Sequence, residues 1–327
     1  MKKLQILIPQ YKETDEIIKP LLDSIQLQQN VDLINDVGVI IVNDGTDVHL
    51  SKEFLNNYTF DREYYLNDHK GVSATRNACL DHATAEYIMF CDADDMFYNM
   101  CGLYILFREM NIGQFDTLVS SFIEETRIPN TKEPIYINRD MDCTFVHGKV
   151  HRREFLIEQN IRWNEKLTIH EDSYFNCLCQ KLAKEAKYCT TPFYLWKWRD
   201  ESVCRSDFKY ILKTYNNMLD SNDALVDEFL KRDKLQDAQF YAVSMIFDAY
   251  FTMNKDEWIN QENKEYRDST EKRFKIYYDK FNYLYKGISS EIKTQIVMSI
   301  KNRMYTEGLL MESITFEDWI KHIVEKY

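Results

Sequence analysis

Three short apolar runs near the start of the chain, Leu4–Ile8, Val37–Val42 and Tyr87–Cys91, each give way abruptly to polar residues. The stretches between them carry helical periodicity. Within Thr14–Gln29, Ile17, Ile18, Leu21, Leu22 and Ile25 recur at helical spacing, and Gly71–Ala83 sets Val72, Thr75, Ala78, Cys79 and His82 along one side. Apolar runs without polar alternation are strands covered on both faces, and strand–helix–strand order makes the sheet parallel. In such sheets ligands bind beyond the carboxyl ends of the strands. The residues found there, Pro9-Gln10-Tyr11, Asn43-Asp44-Gly45 and Asp92-Ala93-Asp94-Asp95, should therefore converge on one sheet edge, and two of the three carry carboxylates.

The remainder is read more coarsely. Helices are expected at Arg152–Gln159 and Glu171–Glu185, and beyond Ser206 the chain is helical in character. Phe240–Met253 is apolar nearly all round and reads as a buried helix. Phe274, Tyr277, Tyr278, Phe281, Leu284 and Tyr285 repeat at helical spacing, and Thr315 caps a last helix with Phe316, Trp319, Ile320, Ile323 and Val324 on one face. The expected division is a catalytic domain over 1–205 and a helical subdomain over 206–327, the latter serving the acceptor side or pairing with a second copy. A length of 327 residues suits one large domain with an appendage. Only 8 Gly and 5 Pro argue against long flexible linkers.

A net charge of −12 argues against the whole molecule being a nucleic-acid binder. The 8 cysteines form no CxxC pair and read as reduced thiols of a cytoplasmic protein. A zinc site at Cys177 and Cys179 lacks the usual spacing. The opening MKKLQILIP breaks at Pro9 too early for a signal peptide, and no apolar stretch is long enough to span a membrane. The expectation is a soluble protein, at most peripheral to a membrane.

The strongest chemical signal is Asp92-Ala93-Asp94-Asp95. Three carboxylates within four residues repel one another unless a cation or the turn geometry stabilises them. Magnesium and manganese take oxygen ligands and need only one or two protein carboxylates when a substrate's phosphates supply the rest. The plain alternative is a helix cap with solvated neighbours. Taken with His69-Lys-Gly71-Val-Ser73-Ala-Thr75-Arg76-Asn77 before it, this segment resembles the NxGxSxARN…DxDD pattern of family 2 glycosyltransferases of the GT-A fold. Ile8-Pro9-Gln-Tyr11 and Asn43-Asp44-Gly45-Thr46 resemble that family's first two strand ends. His147-Gly148-Lys149-Val-His151-Arg152-Arg153, Ile161-Arg-Trp-Asn-Glu165 with Glu171-Asp172, and Trp198-Arg199…Ser202-Val-Cys-Arg205 resemble its later segments. These elements stand in the family's order over residues 4–205.

The resemblance implies a GT-A, Rossmann-like, mostly parallel central sheet flanked by helices, and transfer of a sugar from a nucleoside-diphosphate donor, typically UDP-linked, with inversion. It implies that Pro9, Tyr11 and Asp44 hold the base, that Arg76 lies against base or diphosphate, and that Asp92 meets the ribose. Asp94 would bind Mn2+ or Mg2+, Asp172 would be the general base with Glu171 beside it, and Arg199, Ser202 and Arg205 would close over the diphosphate. Such chemistry needs a stabilised leaving diphosphate and a proton acceptor for the incoming hydroxyl. The chain departs from the pattern at Asn43, where aspartate is common, which puts nucleotide preference in doubt, and at Thr75, where alanine is usual.

Other readings stand beside this one. Lys272, Arg273, Lys275, Lys280 and Lys286 interleave with aromatics, which would suit an enzyme glycosylating nucleic acid, although those aromatics also fit a helix core. A non-catalytic nucleotide-sugar-binding relative would be free to lose Asp94 and Asp172, which are both present. A nucleotidyltransferase would carry a glycine-rich loop after its first strand, where this chain has Pro9-Gln-Tyr-Lys-Glu. Trp196 and Trp198 could form a stacking platform for a sugar or pack in the core. Sugar, acceptor and oligomeric state are not specified; a glycan acceptor is expected, with nucleic acid as the alternative.

Overall fold

The computed structural model describes residues 1–128, 131–199, 208–255, 258, 264–306 and 314–327. The chain divides into two compact units, Met1–Glu201 and Ser202–Tyr327.

In the first unit the expected alternation is present. Strand β1 (Leu4–Gln10) leads to helix α1 (Asp15–Gln26), the short α2 (Leu33–Asp36) and β2 (Val37–Asn43). Next come α3 (Lys52–Leu55), β3 (Asp61–Leu66), α4 (Val72–His82) and β4 (Tyr87–Phe90). Strands β1, β2 and β4 are buried along almost their whole length, as uninterrupted Ile, Leu and Val require when helices cover both faces. Helix α1 turns Ile18, Leu21, Leu22 and Ile25 into that core; each such side chain gives about 1.5–3 kcal/mol on full burial. Strand β3 alternates exposed and partly buried residues because it forms the edge of the sheet.

Among the described residues the sheet has nine strands, and its order begins β3-β2-β1-β4. The first four run parallel. Beyond them come β5 (Met96–Phe97), α5 (Gly102–Ile112), β6 (Thr117–Arg127), β7 (Pro134–Arg139), β8 (Lys149–Arg152), α6 (Arg153–Glu158), α7 (Glu171–Leu182) and β9 (Ala186–Trp196). Here the sheet is mixed: β8 runs antiparallel to β4 and β6, β5 antiparallel to β9, and β9 parallel to β6. The register pairs Gln10 with Asn43 and Asn43 with Leu66, so the carboxyl ends of β1, β2 and β3 finish level. Asp44 N–H donates to Gln10 O at 2.8 Å and Cys91 N–H to Leu7 O at 3.0 Å, bringing the segments after β1, β2 and β4 to one edge.

One helix differs from expectation. The sequence pattern puts Val72, Thr75, Ala78, Cys79 and His82 on the inner side of α4, yet the buried residues are Ser73, Ala74, Thr75, Arg76, Asn77 and Cys79. Its polar side chains are enclosed because Ser73 donates to Leu167 O, Arg76 to Glu171 and Asp92 and Asn77 to Trp163 O, while Thr75 bonds back to Gly71 O.

The second unit is helical: α8 (Phe208–Lys231), α9 (Leu235–Met253) and further helices over Lys264–Gly287, Ser290–Thr306 and Phe316–Lys326. Helix α9 buries Ala242, Val243, Ile246, Phe247 and Phe251, while Phe240 at its start is exposed. Thr315 caps the last helix, its side chain accepting from Asp318 N–H. Phe274, Tyr277, Phe281 and Leu284 are core residues. Of the basic residues among them, Arg273 pairs with Asp220 and Asp223, Lys275 with Asp279, and Lys280 with Asp223 and Asp227. The interleaving that suggested base stacking is therefore a helix packed on its neighbours.

No helix among the described residues is long and apolar enough to cross a membrane. Cys79, Cys91, Cys179 and Cys189 are buried, and Cys101, Cys143 and Cys177 are partly buried.

Candidate active site

The pocket begins at the end of β2. Asp44, 4% exposed, accepts from Lys70 N–H at 3.0 Å and from Gly71 N–H at 3.1 Å, fastening the turn that starts α4. His69 Nδ1 lies 3.0 Å from Asp44 Oδ2; since a carboxylate only accepts, the proton sits on Nδ1. Gly45 holds φ +66°, and a Cβ there would fall 2.2 Å from His69 N, so this close approach of two loops demands glycine. Tyr11, exposed just after β1, stacks on His69 with ring centres 5.1 Å apart. Pro9 is partly buried at the end of β1. Asn43 is wholly buried beneath this pocket, donating to Gln10 Oε1 at 2.7 Å and Val48 O at 2.8 Å and accepting from Thr46 N–H at 2.9 Å. It braces two loops, work that an aspartate with no N–H could not do.

Beyond β4 the three carboxylates diverge. Asp95 is 1% exposed; its oxygens accept from Tyr194 O–H at 2.6 Å and Lys197 N–H at 2.9 Å. Burial, with Asp92 and Asp94 adding repulsion, holds its carboxyl well above the usual range. His147 Nδ1 lies 3.6 Å from Asp95 inside an aromatic box of Phe122, Phe145, Tyr194 and Trp196. Trp196 therefore packs in the core. Ligand atoms of Asp92, Asp95 and His147 lie within 4.8 Å of one another, a set with the chemistry for a cation, but both Asp95 oxygens already accept hydrogen bonds. Asp94 differs: its side chain is 32% exposed and faces Arg199 Nη1 at 3.1 Å, with Glu13 Oε1 3.4 Å from the same nitrogen. Its carboxylate is a hard, solvent-reachable oxygen donor of the kind a divalent cation takes, with Arg199 holding one of its oxygens. Ser202 and Arg205 lie outside the described residues.

Arg76 joins the two halves of the site. Its side chain is 5% exposed, with Nη2 donating to Asp92 Oδ1 at 3.1 Å and Nη1 to Glu171 Oε1 at 2.9 Å. Burial works against its charge, and Asp92 and Glu171 more than offset it. Removing one member of such a buried ion cluster typically costs about 3–5 kcal/mol. The resemblance would set this guanidinium against base or diphosphate, whereas its two terminal nitrogens are engaged by protein carboxylates.

Glu171 and Asp172 open α7, behind His170 in the left-handed region at φ +63°. Strain of this kind gathers where surrounding structure fixes a functional segment. Asp172 Oδ1 accepts from Ser173 N–H at 2.9 Å. Burial first, then repulsion from Glu171, pushes its pKa up to about 7, against the pull of Arg76. It thus sits where a general base near neutrality is most effective. Lys149 of β8, 1% exposed, donates to Asp142 O at 2.7 Å, and burial lowers its pKa to about 8.

The sequence reading gave no individual role to Glu13, His69, Asp95, His147 or Trp163, although all but Glu13 lie inside the segments it matched.

Comparison with known proteins agrees with this architecture. The family model described as Glycosyl transferase family 2 matches residues 5–176. The chain is 23% identical over 227 residues to the uncharacterized glycosyltransferase EpsJ of Bacillus subtilis (strain 168), covering 63% of this chain and 64% of EpsJ. It is 29% identical over 181 residues to the minor teichoic acid biosynthesis protein GgaB of the same organism, covering 47% of this chain but only 19% of GgaB. Among solved structures, S. aureus TarS 1–349 in complex with UDP-GlcNAc superposes with a TM-score of 0.62 at 15% identity, over 94% of this chain and 92% of that one. That likeness concerns the fold. With more than half of its length under the family model and the GT-A arrangement of strands and helices in place, the chain belongs to glycosyl transferase family 2.

Proposed function

We propose that this glycosyltransferase moves a sugar from a UDP-sugar to a hydroxyl of a cell-surface glycan precursor, with inversion at the anomeric carbon. One observation carries the reading: Arg76 ties Asp92, at the donor-side strand end, to Glu171, whose neighbour Asp172 has a pKa of about 7. A donor motif and a base poised for neutral pH are thereby held in one buried ionic network. The printed names of the relatives, a teichoic acid biosynthesis protein and a UDP-GlcNAc complex among them, favour the polymer class and the nucleotide.

In this reading Tyr11 and Pro9 border the base, Asp44 accepts from its imide N–H, and Asp92 meets the ribose. Asp94 holds a divalent cation, Mn2+ or Mg2+, which when bound neutralises charge gathering on the departing diphosphate. Arg199, paired with Asp94 and Glu13, supplies further positive charge on that side, with Ser202 and Arg205 following it in sequence. Asp172 takes the proton of the acceptor hydroxyl as its oxygen bonds to the anomeric carbon from the face opposite the diphosphate. The sugar–phosphate C–O bond breaks, and UDP departs with that electron pair. A base so placed contributes ~10²–10⁴ in rate. The 1–205 segment is the catalytic part, and 206–327 the acceptor-side or pairing part. The scarcity of paired cysteines favours a cytoplasmic setting.

Thermal stability with UDP, GDP, CDP and dTDP, each with and without Mn2+, tests the donor assignment. A shift that needs UDP and metal together is expected. A larger shift with another nucleotide, or none with any, would overturn it.

A further inference from the structure

Trp163 lies in the loop between α6 and α7, and the contacts around it lead to the catalytic carboxylates. It is 2% exposed. Asn77 grips its backbone from two sides: Trp163 N–H donates to Asn77 Oδ1 at 2.9 Å, and Asn77 Nδ2 donates to Trp163 O at 3.0 Å. The same Nδ2 reaches Glu165 Oε1 at 2.9 Å. The indole stacks on Phe175 of α7, with ring centres 4.1 Å apart and planes within 2°. The guanidinium carbon of Arg76 sits over the indole, 4.5 Å from its centre. Adjacent residues of α4 thus divide the work: Asn77 holds the loop, and the loop's indole carries Arg76. Phe175, three residues after Asp172, ties the same indole to the helix that bears the base.

We infer that Trp163 is a positioning residue for transfer, its indole holding the Arg76 guanidinium between Asp92 and Glu171 so that the charge stays beside Asp172. The inference rests on the reading of Asp172 as the general base. A guanidinium is planar and binds an aromatic face while its edge nitrogens donate in plane. The indole therefore restrains the flat side of Arg76, leaving Nη1 and Nη2 aligned with their two carboxylates. An aliphatic side chain fills the space but sets no preference for that plane.

The consequence is electrostatic. Asp172 is flanked on its own helix by Glu171 and His170, faced by Arg76 from α4 and Asp92 from the end of β4, and approached by Lys149 of β8. Glu171 and Asp92 oppose its ionisation, and Arg76 favours it. A guanidinium that drifts leaves two negative charges less compensated, and the base holds its proton to higher pH. Asp172 then becomes a poorer base at neutrality and recovers in alkali, with the donor pocket at Tyr11, Asp44 and His69 untouched.

The test compares Trp163→Leu, which stays apolar but gives up the aromatic face, with Trp163→Phe, which keeps the face. UDP release from UDP-GlcNAc with water as acceptor is followed from acid to alkaline pH, alongside the thermal shift given by UDP. Trp163→Leu should move the acid limb of turnover up by about one pH unit, a roughly tenfold loss at neutrality that alkali restores. Its UDP shift should change far less than its turnover at neutrality, since Tyr11, Asp44 and His69 keep their contacts, and Trp163→Phe should track the parent. A loss equal at every pH, or one that follows UDP binding or melting temperature, would make Trp163 merely structural and overturn the inference. A second measurement does not depend on transfer: 13C titration of aspartate carboxyls, with Asp172 assigned by its disappearance in Asp172→Asn. An unchanged Asp172 midpoint in Trp163→Leu refutes the inference even in an active enzyme. A raised midpoint without any UDP release by the parent refutes the proposed donor instead. Should Trp163→Leu not fold, Trp163→Met serves in both measurements.

Discussion

Replacing Asn43 with aspartate would restore the residue common in the family and should nevertheless weaken this protein. The Asn43 side chain is fully buried and uses every group it has. Nδ2 donates to Gln10 Oε1 and Val48 O, and Oδ1 accepts from Thr46 N–H. Gln10 cannot compensate by turning over its amide, because its Nε2 already donates to Glu13 O at 2.8 Å and Val48 O at 3.0 Å. An ionised carboxylate at this position would face two acceptors with no hydrogen to share. Neither is wholly orphaned, since Gln10 Oε1 keeps Tyr64 O–H at 3.1 Å and Val48 O keeps Gln10 Nε2. Each lost bond then costs about 1 kcal/mol, and burying the charge adds a further ~1–2 kcal/mol. The total for Asn43→Asp is about 3 kcal/mol, or roughly 6–12 °C in melting temperature for a unit of this size.

The pH dependence makes the reasoning refutable. The new carboxyl would be buried without a donor, so its folded pKa is raised above the unfolded value of about 3.9. The penalty is then absent below that unfolded value and grows as pH rises through the folded pKa. In acid the protonated form regains an O–H for Gln10 Oε1. Melting curves of parent and variant, recorded in the same buffers at mildly acid and neutral pH, should therefore converge towards acid. A deficit below about 1 kcal/mol, or one equal at both pH values, would show that Asn43 is not the brace described. A stronger thermal shift with UDP in the variant would instead mark position 43 as a nucleotide contact.

Asp172→Asn should keep the UDP-dependent thermal shift while UDP release falls by about two to four decades; full turnover would move the base elsewhere. Asp94→Asn should abolish the part of the UDP shift that needs Mn2+, as read by calorimetry, and leave the metal-free melting temperature nearly unchanged. Parent turnover should rise with pH through about 7 as Asp172 loses its proton, and a profile flat across neutrality would contradict the assignment. Gly45→Ala forces a Cβ to within 2.2 Å of His69 N at a positive φ; a strain of ~1–3 kcal/mol and weakened UDP binding are expected, measured by melting and titration.

The parts legible in the sequence were those where one physical demand dominated. Strands β1, β2 and β4 are enclosed on both faces, so burial alone wrote their runs of Ile, Leu, Val and Tyr. Strand β3 escaped because Asp61-Arg-Glu-Tyr-Tyr-Leu66 lies at the sheet edge, where exposed positions dilute the pattern. Strand β8 escaped for the opposite reason: Lys149 and His151 are buried but polar, each satisfied by a specific partner rather than by apolar packing. Strand β6 carries Ser, Thr and Glu at enclosed positions, β9 leaves Tyr188, Thr190 and Thr191 exposed, and no local periodicity announces their long-range parallel pairing.

The same distinction explains what could be read of the site. Asp92, Asp94, Glu171 and Asp172 stand out because charge at a strand end or helix start is conspicuous in any sequence. Their division of labour is not, because it depends on depth. Asp95, one residue from Asp94, is sealed between Tyr194, Lys197 and His147, while Asp94 stays open to solvent beside Arg199. Arg76 faces two carboxylates and lies over the ring of Trp163, contacts that no local motif announces. In this fold the segment after β4 and the start of α7 are joined by the Arg76 guanidinium. Asp172's proton affinity is consequently set by residues far from it in sequence, and local motifs cannot carry that information.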